Sequence, residues 1–173
     1  MREDCLTFVD RERLGFPEET WRFFDFRQFS VRDSNCSDDD ILWSLLGASE
    51  YDTSYLGPGL NAGVFADAPG THVHGPYLLA LLEPKMYIRR SVAEALRDVD
   101  QFLSSARRTV TVDELGLRKL LIDPILLADV IFRLPGSYEA AWHGDAWILG
   151  DFSELVMVNR TDLTLVVATM GFQ

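Results

Sequence analysis

Lysine occurs only twice in these 173 residues, at Lys85 and Lys119, cysteine twice, at Cys5 and Cys36, and histidine three times, at His72, His74 and His143. Each scarcity excludes something. The other basic residues are scattered arginines, with no stripe that interleaves basic and aromatic side chains, so nucleic-acid binding is not indicated. Neither cysteine belongs to a CxxC pair, and two such residues fit a reducing compartment better than a disulfide framework. The opening "MREDCLTFVDRERLG" is charged throughout and has no apolar segment of a secretory leader, so the expected location is cytoplasmic. The apolar runs "PYLLALL" and "ELVMVN" are too short to cross a bilayer, and no membrane partner is expected. There is no G-x-S-x-G elbow, no G-x-x-x-x-G-K loop, no internal repeat and no low-complexity tract.

What the chain has in excess is negative charge. There are 27 acidic against 16 basic residues, a net charge of −11, and the first 60 residues hold 13 of the acids and 6 of the bases. Such a field repels polyanions and speeds encounter with basic partners. Hydrophobic residues make up 47% and charged residues 25%, ordinary proportions for a folded chain able to bury a core.

The periodicity predicts helices in the middle and strands at the end. "SDDDILWSLLG" has a capping Ser37 or Asp38, three acids in the first turn, and Ile41, Leu42, Leu45 and Leu46 on one side. "SVAEALRDVDQFLSSARR" opens with a Ser91-x-x-Glu94 capping box and carries a stripe of Val92, Leu96, Val99, Leu103 and Ala106. A second box, Thr111-x-x-Glu114, opens "VDELGLRKLLI", and Asp123 with Pro124 opens a third helix expected to run through "PILLADVIFRL" to the Pro135-Gly136 stop. "WRFFDFRQFSV" suits a helix opening at Pro17 and a strand equally well. Residues 48–76 are rich in glycine and proline and read as a long irregular segment, with a short strand such as "NAGVFA" inside it. "AAWHGDAWILG", "ELVMVN" and "LTLVVATM" read as a C-terminal antiparallel meander. The expected architecture is a single α+β domain over residues 1–173, with central helices packed on one face of an antiparallel sheet.

Four groups of residues were candidates for chemistry. His72 and His74, at strand spacing, would share a face, and His143 with Asp145 repeats the spacing, so the four together offer a ligand set for zinc or iron. Against this, Gly75-Pro76 implies a turn directly after His74, and Gly144 a turn between His143 and Asp145. Cys36 precedes three aspartates that disfavour a thiolate. "GPGLNAG" has no helix start behind it to hold a phosphate. Asp38, Asp39 and Asp40, with Trp43, Tyr51 and Tyr55 nearby, make an acidic and aromatic patch of the kind that recognises a basic protein.

In size, acidity and lack of catalytic motifs the chain is similar to the immunity proteins that bacteria make against their own toxins, although no stretch carries the likeness residue by residue. The function expected is therefore inhibition: a small acidic protein, not an enzyme and without a cofactor, occluding the active site of one basic toxin or enzyme domain. The alternative is a small metal-dependent enzyme using His72, His74 and His143 with Asp145.

Overall fold

The computed structural model describes residues 4–15, 22–53, 55, 72–105, 113–144 and 146–172. Its centre is a six-stranded antiparallel sheet in the order β1-β2-β8-β7-β6-β5. The strands are β1 (Leu6–Gly15), β2 (Arg22–Val31), β5 (Ile88–Arg90), β6 (Val130–Pro135), β7 (Asp151–Asn159) and β8 (Thr164–Phe172). The last three form a meander of which only β7 and β8 were expected as strands, and β2 pairs along the whole of β8, so the two ends of the chain meet in mid-sheet. A separate two-residue ribbon joins β3 (Val73–His74) to β4 (Tyr77–Leu78). The fold is α+β, as the alternation of periods implied.

Alternate residues of the long strands face two different cores. One face carries Phe24, Phe26, Ile131, Leu155, Met157, Ala168 and Met170, packed under Ala95, Val99 and Phe102 of α2 (Val92–Ser104) and Leu121 and Ile125 further on. The other carries Phe29, Phe132, Leu134, Val156, Val158, Leu165 and Val167 under Ile41, Leu42 and Leu45 of α1 (Asp38–Gly47) and three tyrosines, Tyr51, Tyr77 and Tyr87. The sheet is thus covered on both sides, not on one as expected. Double burial also explains why "RFFDFRQFSV" is ambiguous: over residues 24–27 β2 is buried on both faces, Phe24 and Phe26 on one and Asp25 and Arg27 on the other, which erases the polar alternation of a half-exposed strand.

The helix caps came out unevenly. Ser37 caps α1 by accepting from the Asp40 amide at 3.1 Å, and Ser91 with Glu94 forms the full capping box of α2. The second expected box lies only partly within the described residues. Asp113 caps α3 (Glu114–Leu117), accepting from the Gly116 amide at 3.1 Å, while Thr111 lies outside the described residues. Nor does Asp123 start a new helix. The chain passes from α3 through one wide turn, Arg118–Ile122, into α4 (Asp123–Leu127) without leaving helical geometry. Pro124 has no N–H to donate back, and a widened turn ahead of it is the usual accommodation. The third helix then ends at Leu127. "VIFRLP" is the strand β6, its β-branched and aromatic residues paired to β7, so the helix expected to run to Leu134 stops seven residues early. "AAWHGDAWILG" forms short 3₁₀ turns, Glu139–Ala141 and Ala146–Ile148, before β7 begins. "NAGVFA" and "GPGLNAG" lie outside the described residues.

Leu155, with no exposed surface, sits where the meander meets α2, whereas Leu115 on α3 is 81% exposed. Leu155→Ala is expected to cost about 2–5 kcal/mol and Leu115→Ala to stay within about 0.5 kcal/mol. Urea denaturation of the two variants would check both, and equal effects would mean that the sheet face is not packed as described.

Candidate functional site

The concentration of chemistry-bearing side chains lies inside the molecule, on the α1 face of the sheet. It begins with an irregularity. β1 pairs with β2 in regular register from Leu6 to Phe8, then skips Val9, so that Asp10 rather than Val9 is the partner of Gln28. Because strand side chains alternate, the one-residue bulge turns over every side chain after it. Without it, Asp10 and Glu12 would share the face of Leu6 and Phe8. With it, Arg11 and Arg13 take that face and reach Asp25 of β2, with Arg11 Nε at 2.8 Å and Arg13 Nε at 3.4 Å from Asp25 Oδ1.

Asp25 is the first of a continuous chain of buried partners. Arg27 Nη2 lies 2.8 Å from its Oδ2 and also donates to Thr53 Oγ1 at 2.9 Å. The Tyr55 hydroxyl donates to Asp25 Oδ2 at 2.7 Å, accepts from Arg27 Nη1, and lies 3.2 Å from Thr169 Oγ1. Thr169 of β8 donates to Glu154 Oε2 of β7 at 2.8 Å. Glu154 accepts from His74 Nε2 at 2.6 Å and from the Tyr51 hydroxyl. Tyr87 stands 2.7 Å from Tyr51 Oη and is the donor there, since the Tyr51 proton goes to Glu154. Asp25, Arg27, His74, Glu154 and Thr169 have no exposed surface at all.

Both ring nitrogens of His74 are engaged: Nε2 faces the Glu154 carboxylate and Nδ1 the Tyr51 carbonyl oxygen at 2.7 Å. Tyr51 stacks on the ring at 3.6 Å between centroids with 14° between planes. Burial pushes Glu154 upward, but the His74 charge and hydrogen bond, with Tyr51 and Thr169, outweigh it and hold the carboxyl below its ordinary value of 4.5. Asp25 behaves likewise. Burial is again opposed, by Arg27, Arg11 and Tyr55, and the balance falls below 3.8. Burial drives Tyr51 and Tyr87 well above the usual phenol value, so both remain neutral donors.

The elements joined by this network explain its place. Thr53 and Tyr55 belong to the irregular segment, His74 to the β3–β4 ribbon and Tyr87 to the approach to β5, while Asp25, Glu154 and Thr169 belong to the sheet. The polar partners fix three loop-derived pieces to one sheet face. Tyr55 keeps its place at φ 55°, a left-handed conformation that a bulky residue rarely adopts. Gly75 turns the ribbon at φ +52°, where an added Cβ would meet the Phe152 ring at 2.2 Å. An imidazole, a carboxylate and phenols are the parts of an acid–base site, but here the His74 nitrogens and the Tyr51 and Tyr55 hydroxyls face acceptors and the group is closed to solvent.

The residues singled out from sequence are dispersed. His72 is 87% exposed on its side chain at φ 57°, and Asp52 accepts from its amide. His74 points inward with both nitrogens engaged. His143 Nε2 bonds the Gly75 carbonyl oxygen at 3.0 Å. Asp145 lies outside the described residues, and among the described residues no three histidine, cysteine or acidic side chains are placed to hold a metal ion. The turn that Gly75-Pro76 implied is present, and it separates the environments of the histidines instead of aligning them. Cys36 shares a small cavity with Cys5, whose thiol burial and the neighbouring Cys36 push up to about 11. Tyr51 and Tyr55, expected on a partner-binding surface, are core residues at 0% and 3% exposure. Of that patch, Asp38–Asp40 and Trp43 remain on or near the surface, with Asp38 paired to Arg160 at 2.7 Å and to Arg89. Asp25, Arg27, Glu154 and Thr169 went unnoticed in the sequence. Their signal was available: a charged residue in mid-strand, as in "FFDFRQF" and "SELVMV", has to be partnered wherever its strand is buried on both faces.

Removing one partner leaves the other charge buried and unpaired, so Asp25→Ala is expected to cost about 3–5 kcal/mol, and the double variant Asp25→Leu/Arg27→Met less than the sum of its singles. Urea midpoints for the cycle measure this, and additive losses would show that the two charges are not coupled. Since Asp25 and Glu154 titrate lower folded than unfolded, the stability they add is present above the ordinary carboxylate range and is lost as pH falls through their folded values. A Glu154→Gln variant is expected to show a shallower fall in stability on acidification than the parent, and parallel acid limbs would sink the assignment. Comparison of the chain with protein-family models, with curated proteins and with solved structures found no match.

Proposed function

We propose that this chain is a stoichiometric inhibitor, of the kind represented by bacterial toxin-immunity proteins, acting in the cytoplasm on one basic protein. The observation that supports the reading is the division of charge. Among the described residues only three carboxylates, Asp25, Asp52 and Glu154, are buried, and the groups suited to acid–base work are sealed and neutralised by one another. The other described carboxylates of this chain, whose net charge is −11, are at least partly exposed. A scaffold so arranged has its reactive groups spent on rigidity and its surface field available for a partner. The field steers a basic domain into contact, and occlusion of that domain's active site needs no chemistry from the inhibitor. The first turn of α1, with Asp39 and Asp40 exposed beside half-buried Trp43, is one acidic face available for this.

A native mass spectrum of the protein purified gently from its own host tests the reading. A stoichiometric adduct with a second polypeptide, whose activity the purified chain then suppresses, is the expected result. A lone chain holding a transition-metal ion would reverse it in favour of metal chemistry. With the partner in hand, Asp39→Lys/Asp40→Lys is expected to slow association by roughly tenfold at low salt, with the difference shrinking as salt rises. Stopped-flow association rates at two ionic strengths check this, and an unchanged rate at low salt removes the α1 turn from the interface.

A further inference from the structure

On the opposite face of the sheet, between β1, the β7–β8 end and α4, lies a cavity of about 270 Å³. Its floor is apolar, made of Phe26, Met157 and Val166, and Leu127 stands at its wall. Its lining also includes Asp10, Glu12, Asp123 and Asp162. The β1 bulge is what delivers Asp10 and Glu12 here, since it turns them to this face as it turns Arg11 and Arg13 to the other. Lys119 reaches Glu12 only at 3.9 Å, and Asp123 is engaged by Arg118 at 3.4 Å. Asp10 and Asp162 accept hydrogen bonds from the Arg11 amide and from Asn159 Nδ2, and among the described residues neither is paired with a cation. Arg27 is among the lining residues too, but its guanidinium is committed across the sheet to Asp25, Tyr55 and Thr53.

We infer that this cavity receives an arginine side chain from the protein partner, and that it is the anchor point of the interface. Three observations select that occupant. The floor matches an aliphatic stem, and two uncompensated carboxylates at the rim match a guanidinium, which no anionic or neutral ligand would satisfy. The volume lies below the roughly 300–1,000 Å³ usual for small-molecule and cofactor sites, and is ample for one long side chain. Leu127, which lines the cavity, is 63% exposed, and Leu126 and Leu115 on the same helical stretch are 51% and 81% exposed, apolar surface that a flanking protein would bury and a free metabolite would not. The inference rests on the reading of the chain as a binder of a basic protein, and it moves the centre of binding from the α1 turn to the α4 side of the sheet.

The test uses methyl-labelled protein and two defined probes: the peptide acetyl-Ala-Leu-Arg-Leu-Ala-amide and its citrulline counterpart, of the same length without the charge. The arginine peptide is expected to shift the Met157, Val166 and Leu127 methyl resonances saturably, and the citrulline peptide to bind at least about tenfold more weakly. Asp10→Asn/Asp162→Asn, both at the surface, is expected to remove most of that preference while leaving the thermal midpoint close to the parent's. Absence of methyl shifts up to about 10 mM peptide, equal response to both peptides, or shifts confined to the α1 face would overturn the site. The two readings fail separately. A copurified partner with a silent cavity keeps the inhibitor and discards the anchor. Saturable arginine binding with no polypeptide partner in the native spectrum keeps the cavity as a site for organic cations and discards the inhibitor.

Discussion

Everything on the α1 side of the sheet depends on two buried charge pairs, His74 with Glu154 and Arg27 with Asp25, linked through Thr169 and Tyr55. Buried ion pairs are seldom a net source of stability, because desolvation offsets much of the attraction. What they impose is geometry. A leucine at position 154 would pack against several arrangements of the overlying chain, whereas a carboxylate at the centre of the sheet tolerates only the one that brings His74, Tyr51 and Thr169 to its oxygens together. The irregular segment has little periodic hydrophobicity of its own to dictate a path. Where it is described, Thr53, Tyr55 and His74 are held to the sheet by polar partners.

This bears on what sequence could and could not supply. The α1 and α2 helices were legible because local rules agree there: Ser37 and Ser91 cap, acids fill the first turns, and the apolar residues recur at helical spacing. The meander was legible from its β-branched runs. The strand "VIFRLP" was not, because an apolar run of six has no period that separates a buried strand from the last turns of a helix begun at Pro124. The site was least legible of all. His72 and His74 sit two apart in sequence, yet the left-handed backbone at His72 sends one to solvent and the other to the core. Asp25 and Glu154 are 129 positions apart and belong to one network only because β2 and β7 flank β8. Nothing local encodes that proximity, although a lone charge in an apolar strand announces that a partner must exist.

The two faces of the sheet divide the labour. On the α1 side, charge is turned inward, in a network whose acids and bases pair with one another. On the α4 side, two carboxylates, Asp10 and Asp162, have no cation paired to them among the described residues, beside an apolar hollow. The accessible carboxylates of the α4 side, set against the sealed groups of the α1 side, are what supports the proposal that the chain is a binder.

The bulge at Val9 ties these two territories together. Substitutions along β1 can tune one face at a time, since each side chain belongs to one side only. A change of register cannot. Drawing Val9 into regular pairing would carry the arginines of 11 and 13 to the hollow and the acids of 10 and 12 into the interior beside Asp25, reversing the sign of both at a stroke. In the history of such a chain, this stretch of strand is open to drift in spelling and closed to drift in register. A lineage that changed its binding preference would be expected to have done so letter by letter, with Asp10 kept opposite Gln28 throughout.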